Sequence, residues 1–413
     1  MRTKYALVGA GHRGLYMFAK PLAQQFQDVA EFVGIHDSNP TRARYMSTIC
    51  GGVPVYDDFD RMLAESRADT VIVTTIDSVH DEYIIRALRA GCDVITEKPM
   101  TTDDAKCRAI LRAEKETGKK VTVTFNMRFA PYVQRIKELL LEGAIGSVLS
   151  VHLEYLLDTS HGADYFRRWH RNREYSGGLL VHKSTHHFDM VNWLLGDVPE
   201  RLYAYGTTSF YGPTREKRGV RCTSCEHAGD CEFYFDLTKD PTNKEMYAEA
   251  EKDDGYYRDQ CVFGDGITTY DTMSVNLQYA SGAQLSYSLN AHCPYEGWKI
   301  AINGTKGRIE AESFENPLNA GERNEHIRVF NRRGEAVVYH VPMATGVHGG
   351  GDERLLRMLF RRDAEDKLNQ QAGSMEGALS MLIGVAANRS IADNRPVSIR
   401  ELLQERERED TLA

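Results

Sequence analysis

The sequence predicts an α/β protein in which a doubly wound parallel sheet is followed by a second domain rich in β-strands. A glycine-rich turn follows an apolar strand near the N-terminus, and strands alternate with helices up to residue 125. Beyond that residue, apolar and polar residues alternate in several stretches, which is typical of half-buried strands. With 413 residues, the chain is long enough for two domains with separate cores.

Composition and charge narrow the class of function. Hydrophobic residues make up 42% of the chain and charged residues 27%, as in folded globular proteins. The formal net charge of −8 argues against a nucleic-acid-binding surface. No apolar stretch approaches the ~20 residues of a membrane-spanning helix. The N-terminus leads directly into a strand and lacks the features of a signal peptide. We therefore expect a cytoplasmic protein with no membrane partner, whose cysteines are reduced.

The first strand and the turn after it form a dinucleotide-binding motif. Apolar residues 5–8 lead into GAGHRG (9–14), a G-x-G-x-x-G sequence that opens a helical pattern. The first glycine permits the tight turn, the second lets a pyrophosphate approach the backbone, and the third allows close packing of helix on strand. The N–H groups at the start of the helix attract phosphates. The predicted cofactor-binding residues of this turn are Gly9, Gly11, His12, Arg13 and Gly14.

The end of the second strand indicates which dinucleotide is bound. The segment EFVGIHD ends in Asp37, 23 positions after Gly14. An acidic residue at this place binds the hydroxyls of the adenine ribose and repels a 2′-phosphate. NAD is therefore favoured over NADP, although Arg42 and Arg44, a few residues further on, weaken this preference.

The next segments complete a parallel sheet. Strands are predicted at 70–75, 93–99 and 120–125, and helices at 80–90 and 103–117. In a sheet of this kind, ligands bind outside the carboxyl ends of the strands. The residues near these ends that we predict to bind the cofactor are Thr74, Thr75, His80, Glu97, Lys98 and Asn126.

Three segments, in this order along the chain, resemble the Gfo/Idh/MocA family, which includes glucose–fructose oxidoreductase and inositol dehydrogenase. The EKP triplet (97–99) at the end of a strand is the most specific mark, and NMRF (126–129) supports it. The segment RRWHRNREYSGGLLVHKSTHHFD (167–189) is similar to the family's W-R…G-G-G…D-x-x-x-H-x-x-D pattern.

The resemblance implies a Rossmann domain over residues 1–125 that binds NAD(P), and an α+β domain over residues 126–413. In the family, the second domain has a large, mostly antiparallel open sheet, whose face holds a sugar or polyol and which commonly forms an oligomer interface. A homo-oligomer, dimer or tetramer, is therefore expected. Alternating segments at 147–157, 272–280 and 283–291 agree independently with such a sheet, and residues 374–393 predict a long helix.

Oxidation of a secondary alcohol needs a base near the hydroxyl, which loses its proton as hydride leaves carbon. In the family, this work is done by the lysine of the EKP triplet and by a histidine on a helix of the second domain. These residues correspond to Lys98 and His186 here. Lys98 would orient the hydroxyl and His186 would accept the proton. Relatives commonly have aspartate at the position of His182 and an apolar residue at Lys183, so we expect a different proton-transfer arrangement, with His182 as a third catalytic residue.

Two other interpretations of His182 and His186 stay open. His-x-x-x-His on one helix face is half of a zinc site, to which His161, His292 or His348 could add ligands. The two histidines could also be ordinary polar residues on a helix, with no role in binding or catalysis. His187 is one residue off that face and should point elsewhere.

The substrate is expected to lie against residues from both domains. The predicted substrate-binding residues are Arg128, Tyr165, Arg168, Trp169, Lys183 and His292, although Trp169 also fits a place in the core.

A cysteine cluster lies in a loop-rich insertion at about 212–264. Its spacing, C-x2-C-x5-C with a distant fourth thiol, fits a structural zinc site formed by Cys222, Cys225, Cys231 and Cys261. An iron–sulfur cluster, free thiols or a disulfide are the alternatives.

Three functions are compatible with these features. The first is NAD-dependent oxidation of a secondary hydroxyl of a sugar, sugar derivative or glycoside. The second is a redox-neutral, NAD-dependent glycosidase that works through transient C3 oxidation and elimination of the aglycone. The third, a nucleotide-binding sensor without catalysis, is disfavoured because Lys98 and His186 are both present.

Overall fold

A computed structural model describes residues 2–315, 323–361 and 365–404. The C-terminal end of the predicted second domain, residues 405–413, lies outside the described residues. The strands of the first half are β1 (Thr3–Val8), β2 (Ala30–His36), β3 (Val55–Tyr56), β4 (Thr70–Val73), β5 (Asp93–Thr96) and β6 (Val121–Val123). They are followed by β7 (Val148–Asp158), β8 (Pro199–Thr207), β9 (Thr272–Tyr279), β10 (Gln284–Cys293), β11 (Gly297–Gly304), β12 (Gly307–Phe314), β13 (Asn324–Asn331), β14 (Ala336–Pro342), β15 (Ala372–Gly373) and β16 (Val397–Ser398).

The α-helices differ widely in length. A π-helical segment, Gly14–Ala19, continues into the first of them. They are α1 (Lys20–Gln24), α2 (Pro40–Ile49), α3 (Phe59–Ser66), α4 (His80–Arg89), α5 (Asp104–Thr117), α6 (Pro131–Leu141), α7 (Thr159–Arg167), α8 (Arg173–Ser176), α9 (Leu179–His182), α10 (Ser184–Leu195), α11 (Pro241–Asn243), α12 (Glu251–Asp254), α13 (Gly351–Phe360), α14 (Ser374–Asp393) and α15 (Ile399–Leu403). Shorter helical turns connect several strands and helices, among them Asp77–Val79, Asn126–Phe129 and Trp169–Arg171.

The first sheet has the strand order β15-β6-β5-β4-β1-β2-β3. Strands β1 to β6 are parallel, and the order reverses between β4 and β1, as in a doubly wound sheet. The residues of β4 are buried on both faces because helices cover the sheet on both sides. The predicted Rossmann fold is therefore confirmed. The short strand β15 adds an antiparallel edge that the sequence did not predict.

The second sheet has the order β14-β13-β12-β11-β7-β10-β9-β8-β16. Its pairs are antiparallel except β7 with β10, so the predicted open, mostly antiparallel sheet is also confirmed. Burial alternates along β9, as a sheet with one covered face requires. Helix α14 packs against β8 and α10 on the covered side. The other side carries an open groove of about 470 Å³ lined by Lys299, Glu310 and Arg328 among others.

The C-terminal part of the chain returns to the first sheet. Leu355 and Phe360 of α13 are buried in one core with Tyr5 and Phe26, and the Phe360 ring meets Tyr5 edge-on at 5.0 Å. The two domains therefore share apolar contacts, and the division predicted between residues 125 and 126 does not separate two independent cores.

The insertion between β8 and β9 packs against both domains. Phe233 and Phe263 belong to the larger core, whereas Met246 and Tyr247 are buried with Leu15 of the first domain. The insertion is therefore ordered by apolar contacts with the rest of the chain. Among the described helices, none is both long enough and apolar enough to traverse a lipid bilayer.

Candidate active site

The glycine turn has the shape that a dinucleotide requires. Gly9 has φ +97°, and a Cβ there would lie 2.5 Å from the Thr74 backbone. A Cβ on Gly14 would lie 2.4 Å from the Gly9 oxygen. A Cβ on Gly11 would meet only the Tyr247 hydroxyl, at 3.8 Å. The first and third glycines are thus needed for packing, and the second leaves the backbone open to a ligand.

Asp37 follows β2 and contacts this turn. Its Oδ2 accepts a hydrogen bond from the Ala10 N–H at 2.6 Å, and Oδ1 accepts one from Asn39 N–H at 2.7 Å. Arg42 Nη2 is 3.5 Å from Asp37 Oδ1 but only 2.5 Å from Asp254 Oδ2. Because its charge is matched by these two carboxylates, Arg42 is less available to a 2′-phosphate than the sequence suggested.

Arg13 connects the glycine turn to the strand end that carries the EKP triplet. Its Nε donates to Glu97 Oε1 at 2.8 Å, and Nη1 donates to Asp352 Oδ2 at 3.2 Å. Asp352 also accepts from Asn126 Nδ2 and lies 3.2 Å from His348 Nδ1. Burial opposes ionisation of Asp352, but His348 and Arg13 outweigh burial and lower its pKa. The Oδ1 atom of Asn126 is buried without a hydrogen-bond partner, which suits a donor on a ligand.

Two predicted cofactor residues, Thr74 after β4 and His80 at the start of α4, face backbone carbonyls of the first domain. Thr74 donates its hydroxyl to Gly9 O at 2.7 Å. His80 is 1% exposed, and its ring nitrogens lie 2.9 Å from Pro99 O and 3.1 Å from Thr75 O. The prediction that His80 binds the cofactor disagrees with this geometry, because both nitrogens already face backbone carbonyls. Thr75 is partly exposed at the strand end.

Lys98 lies at the junction of the two domains and contacts the end of α9. Its Nζ donates to the His182 carbonyl at 3.1 Å and lies 3.4 Å from His182 Nε2. His182 Nδ1 is 2.5 Å from Asp77 Oδ2, in the turn after β4. Asp77 and Lys98 thus lie on opposite sides of the His182 ring, with one ring nitrogen facing each of them. Since both ring nitrogens of His182 are engaged, the pair His182 and His186 is not arranged as a metal half-site.

The histidine segment is two helices and not the one that the sequence predicted. The break falls at Lys183, between α9 and α10. The N–H of His186 bonds to Lys183 O at 3.2 Å, and the His182 carbonyl is bonded by Lys98 instead of the next helical turn. The break therefore frees the carbonyl oxygen that holds the Lys98 ammonium.

Burial and neighbouring charges control protonation at this junction. Burial lowers the pKa of Lys98 to about 8, against the opposing effects of Asp77 and Glu97. Burial and then Lys98 lower the pKa of His182. Burial raises the pKa of Asp77, and Lys98 acts against this. A neutral His182 can donate its Nδ1 hydrogen to the Asp77 carboxylate, and this hydrogen bond gives both buried groups a partner.

His186 and His187 have different surroundings. His186 is 4% exposed, and its Nδ1 is buried without a hydrogen-bond partner, near the rings of Phe125 and His348. Burial lowers its pKa, as do Lys98 and Lys183, so the ring is neutral and a weaker base than free histidine. His187 stacks on Tyr155 at 3.8 Å and its Nδ1 lies 2.7 Å from the Tyr287 hydroxyl. It points toward the sheet, away from the junction.

Aromatic rings line the side of the junction that faces the second domain. Tyr165 meets His182 at 5.5 Å and Trp169 meets it at 5.6 Å, while Trp169 stacks on His170 at 3.7 Å. Trp169 is only partly buried, so one of its faces is not in the core. Arg168 pairs with Asp164 at 2.8 Å. Of these rings, Trp169 is partly exposed beside polar groups, which suits the apolar face of a sugar, whereas Tyr165 is buried behind it.

Lys183 occupies a second polar cluster beside these rings. Its Nζ lies 5.0 Å from the centre of the Tyr155 ring. Burial opposes its charge, but Tyr155, Tyr165 and Glu296 outweigh burial and raise its pKa. Burial raises the pKa of Tyr155 and of Tyr165, and the positive charge of Lys183 only partly offsets this effect. His161 Nδ1 lies 2.9 Å from Glu296 Oε1 at the edge of this cluster.

Two predicted substrate-binding residues lie apart from this arrangement. Arg128 is 2% exposed and donates from Nε and Nη2 to Asp189, at 2.8 and 2.6 Å. It is committed to a buried ion pair, and the prediction that it binds substrate disagrees with this position. His292 stacks on Phe210 and its Nε2 lies 3.1 Å from the Thr272 hydroxyl.

The cysteines do not meet the geometry of the predicted zinc site. Among the described residues, which include all four thiols, no three His, Cys, Asp or Glu side chains are grouped to hold a metal ion. Cys222 is buried with its Sγ 3.9 Å from Arg167 Nη1, whereas Cys225, Cys231 and Cys261 are partly exposed. All are free thiols. The structure therefore does not support a zinc ion at Cys222, Cys225, Cys231 and Cys261.

Comparison with known proteins identifies the class to which this fold and site belong. Residues 3–125 match the NAD-binding Rossmann fold of the Gfo/Idh/MocA oxidoreductase family, and residues 137–399 match the C-terminal alpha/beta domain of that family. The chain therefore belongs to the Gfo/Idh/MocA oxidoreductase family, and it is an enzyme of the oxidoreductase type.

The relatives include both oxidoreductases and a hydratase. YteT of Bacillus subtilis, an oxidoreductase by name, is 39% identical over 96% of this chain and 97% of its own. Inositol 2-dehydrogenase of Rhizobium meliloti is 27% identical over 76% of each chain. The 2,7-anhydro-N-acetylneuraminate hydratase of Escherichia coli is 27% identical over 49% of this chain and 52% of its own. The WlbA dehydrogenase of Bordetella pertussis, solved with NADH and UDP-GlcNAcA, superposes with a TM-score of 0.65 at 20% identity, over 96% of this chain and 99% of that one.

Several residues of the site were not identified from the sequence. Asp77 follows β4 by four positions. Because ligands bind at the carboxyl ends of parallel strands, this position could have identified Asp77 as a candidate site residue. Glu296 comes from the loop before β11 and Asp352 from the first turn of α13, and tertiary packing brings both residues to the junction. The roles of Lys98, His182 and His186 themselves stay predictions.

Proposed function

We propose that this enzyme oxidises a secondary hydroxyl of a sugar, sugar derivative or glycoside, with NAD as the hydride acceptor. The observation that carries the proposal is the linkage of Lys98 to Asp77 through His182, at the carboxyl edge of the Rossmann sheet. A lysine with a pKa of about 8 in that place can hold a hydroxyl and tune its acidity near neutral pH. Bound NAD would supply the chemistry of hydride acceptance.

Residues of this chain would bind the substrate and transfer the proton. Lys98 orients the hydroxyl and stabilises the developing alkoxide, while the Asp77–His182 pair stabilises the charge of Lys98. His186, kept neutral by burial, accepts the hydroxyl proton. Trp169, with the buried Tyr165 behind it, provides a face for the sugar ring, and Arg168 adds a hydrogen-bond donor at its edge.

Replacing His186 tests the assignment. We expect His186→Ala to lower kcat by at least ~100-fold, the range typical of a lost acid–base group. Binding of NAD, measured by calorimetry, should stay within about twofold of the unmodified enzyme. His227→Ala, at a partly exposed position of the insertion between β8 and β9, is the matched control. A sugar panel followed by NADH absorbance gives the rates, and undiminished turnover of His186→Ala would exclude this role.

A redox-neutral glycosidase is the second candidate, and the cluster around Lys183 favours it. Such a reaction oxidises C3, and the acidified C2 proton then needs its own base before the aglycone leaves. Tyr155 and Tyr165 lie beside the charged Lys183, which counteracts the effect of burial on their pKa values and would support a base at this place. The hydratase among the relatives also acts on a sugar derivative by a reaction other than net oxidation.

The two candidates make different demands on the cofactor. Denaturing the purified protein and quantifying nicotinamide distinguishes them, since a closed redox cycle needs about one NAD(H) retained per chain. Aryl glycosides should then be cleaved without added NAD, with deuterium from D2O entering at C2, and Lys183→Met should abolish the exchange. Empty protein and NADH accumulation with free sugars would instead support the dehydrogenase.

We also propose that the enzyme prefers NAD over NADP and that it forms a homo-oligomer through the open face of the second sheet. Binding constants for the two dinucleotides and sedimentation analysis test them.

A further inference from the structure

The insertion between β8 and β9 contacts the glycine turn directly. The Tyr247 hydroxyl accepts a hydrogen bond from the His12 N–H at 2.9 Å. This N–H belongs to the turn whose backbone binds the dinucleotide phosphates in the Rossmann fold. Tyr247 is 6% exposed, and its own hydroxyl hydrogen remains free to be donated. A residue more than 200 positions away along the chain thus meets the phosphate-binding backbone.

Arg258, from the same insertion, brings a positive charge to this place. Its guanidinium carbon lies 4.3 Å from the centre of the Tyr247 ring. The Nε atom is buried without a hydrogen-bond partner. After burial, Arg258 has the largest effect in lowering the pKa of His12, which indicates how near it lies to the turn. The neighbouring Asp164 is already paired with Arg168, at 2.8 Å.

Further contacts fix the insertion to the first domain. Asn39 Nδ2 donates to the Ala250 carbonyl at 2.9 Å, and Arg42 pairs with Asp254. Asn39 is fully buried. These contacts hold the segment that carries Tyr247 over the cofactor side of the sheet.

We propose that Tyr247 and Arg258 bind the diphosphate of the dinucleotide from the side opposite the glycine turn, so that the insertion is part of the cofactor site. A diphosphate carries two negative charges and several acceptor oxygens. The glycine turn satisfies some of these through N–H groups, and Arg258 and the Tyr247 hydroxyl satisfy others. The inference rests on the proposed use of NAD, but it concerns binding and not the reaction.

Calorimetric titration of the full chain with ADP-ribose tests the inference without the need for a substrate. Loss of a charged hydrogen-bond donor in Arg258→Leu should weaken ADP-ribose binding about 10- to 100-fold, and the neutral loss in Tyr247→Phe about 2- to 10-fold. Adenosine, which lacks the diphosphate, should bind both variants as it binds the unmodified protein. Arg258→Lys, which keeps the charge, should lie between Arg258→Leu and the unmodified protein.

Matched controls come from the same insertion. Arg218→Leu removes an equal charge from a residue that lies 3.6 Å from the exposed Asp265, and Tyr234→Phe removes a hydroxyl from an exposed ring. Both should bind ADP-ribose within about twofold of the unmodified protein.

The possible results separate this inference from the proposed function. If the unmodified protein does not bind ADP-ribose, the use of NAD is wrong. If it binds, and both Arg258→Leu and Tyr247→Phe bind equally well, the role of the insertion is wrong. Should Arg258→Leu fail to fold, as judged by circular dichroism, Tyr247→Phe and Arg258→Lys decide the question.

Discussion

Replacing Asp77 by asparagine should change the acidity of Lys98, which does not touch it. Asparagine keeps the size of the side chain and an oxygen that can accept from His182 Nδ1. It removes the negative charge that, together with Glu97, sustains the Lys98 ammonium against burial. Because the charged form loses this support, the pKa of Lys98 must fall below about 8.

The size of the fall follows from the geometry. Lys98 Nζ is 3.4 Å from His182 Nε2, and His182 Nδ1 is 2.5 Å from Asp77 Oδ2. Across the ring, the two charges are therefore at most roughly 8 Å apart, and at an effective dielectric constant of about 20 they attract by about 2 kcal/mol. This energy corresponds to about 1.5 pKa units, so the Lys98 pKa should fall to roughly 6.5 in Asp77→Asn.

The assay is the pH dependence of Lys98 acylation by acetic anhydride, followed by mass spectrometry, because only the neutral amine reacts. The midpoint should move from about 8 to about 6.5. If charged Lys98 is needed for catalysis, the alkaline limb of kcat/KM should move by the same amount. Asp81→Asn removes a carboxylate that pairs with Lys106 at 3.5 Å and serves as the control. Equal midpoints for Asp77→Asn and the unmodified enzyme would refute the linkage through His182.

Three further predictions concern cofactor choice, stability and metal content. Asp254→Asn removes the closer carboxylate from Arg42, so the ratio of NADP affinity to NAD affinity, measured by calorimetric titration, should rise about tenfold. An unchanged ratio would contradict the role given to that pair. Arg128→Leu leaves Asp189 charged and buried, so the free energy of unfolding measured in urea should fall by about 3–5 kcal/mol. A second change, Asp189→Leu, should restore most of this stability. A fall below about 1 kcal/mol, on the order of a surface substitution, would mean that the ion pair is not desolvated. Because the described thiols form no metal-binding group, EDTA should leave the melting temperature unchanged, and a clear decrease would reinstate the zinc site.

Much of the fold could be predicted from the sequence because its signals are local. The parallel strands end close to the predicted positions, since their apolar runs and the turn residues after them are read within a few residues. The long helix α14 spans Ser374–Asp393 as predicted, because its apolar pattern continues unbroken over that length.

The candidate site was predicted in part. Lys98 and His182 meet as expected, but the acidic partner of His182 comes from Asp77, 105 positions earlier in the chain. Arg128, part of the motif that supports the family resemblance, was predicted to bind substrate. Its burial against Asp189 depends on how α10 packs, which no local pattern encodes.

Local sequence patterns are enough to locate the glycine turn, the acidic residue after β2 and the lysine after β5, because backbone geometry and strand polarity fix where such residues lie. The surroundings of those residues come from the packing of distant segments. This packing sets the carboxylate behind His182, the neutral state of His186, the pairing of Arg42 and the contact of Tyr247 with the glycine turn. Protonation and pairing depend on burial and on charges within a few ångströms, and these distances are set by packing between segments that are remote in sequence.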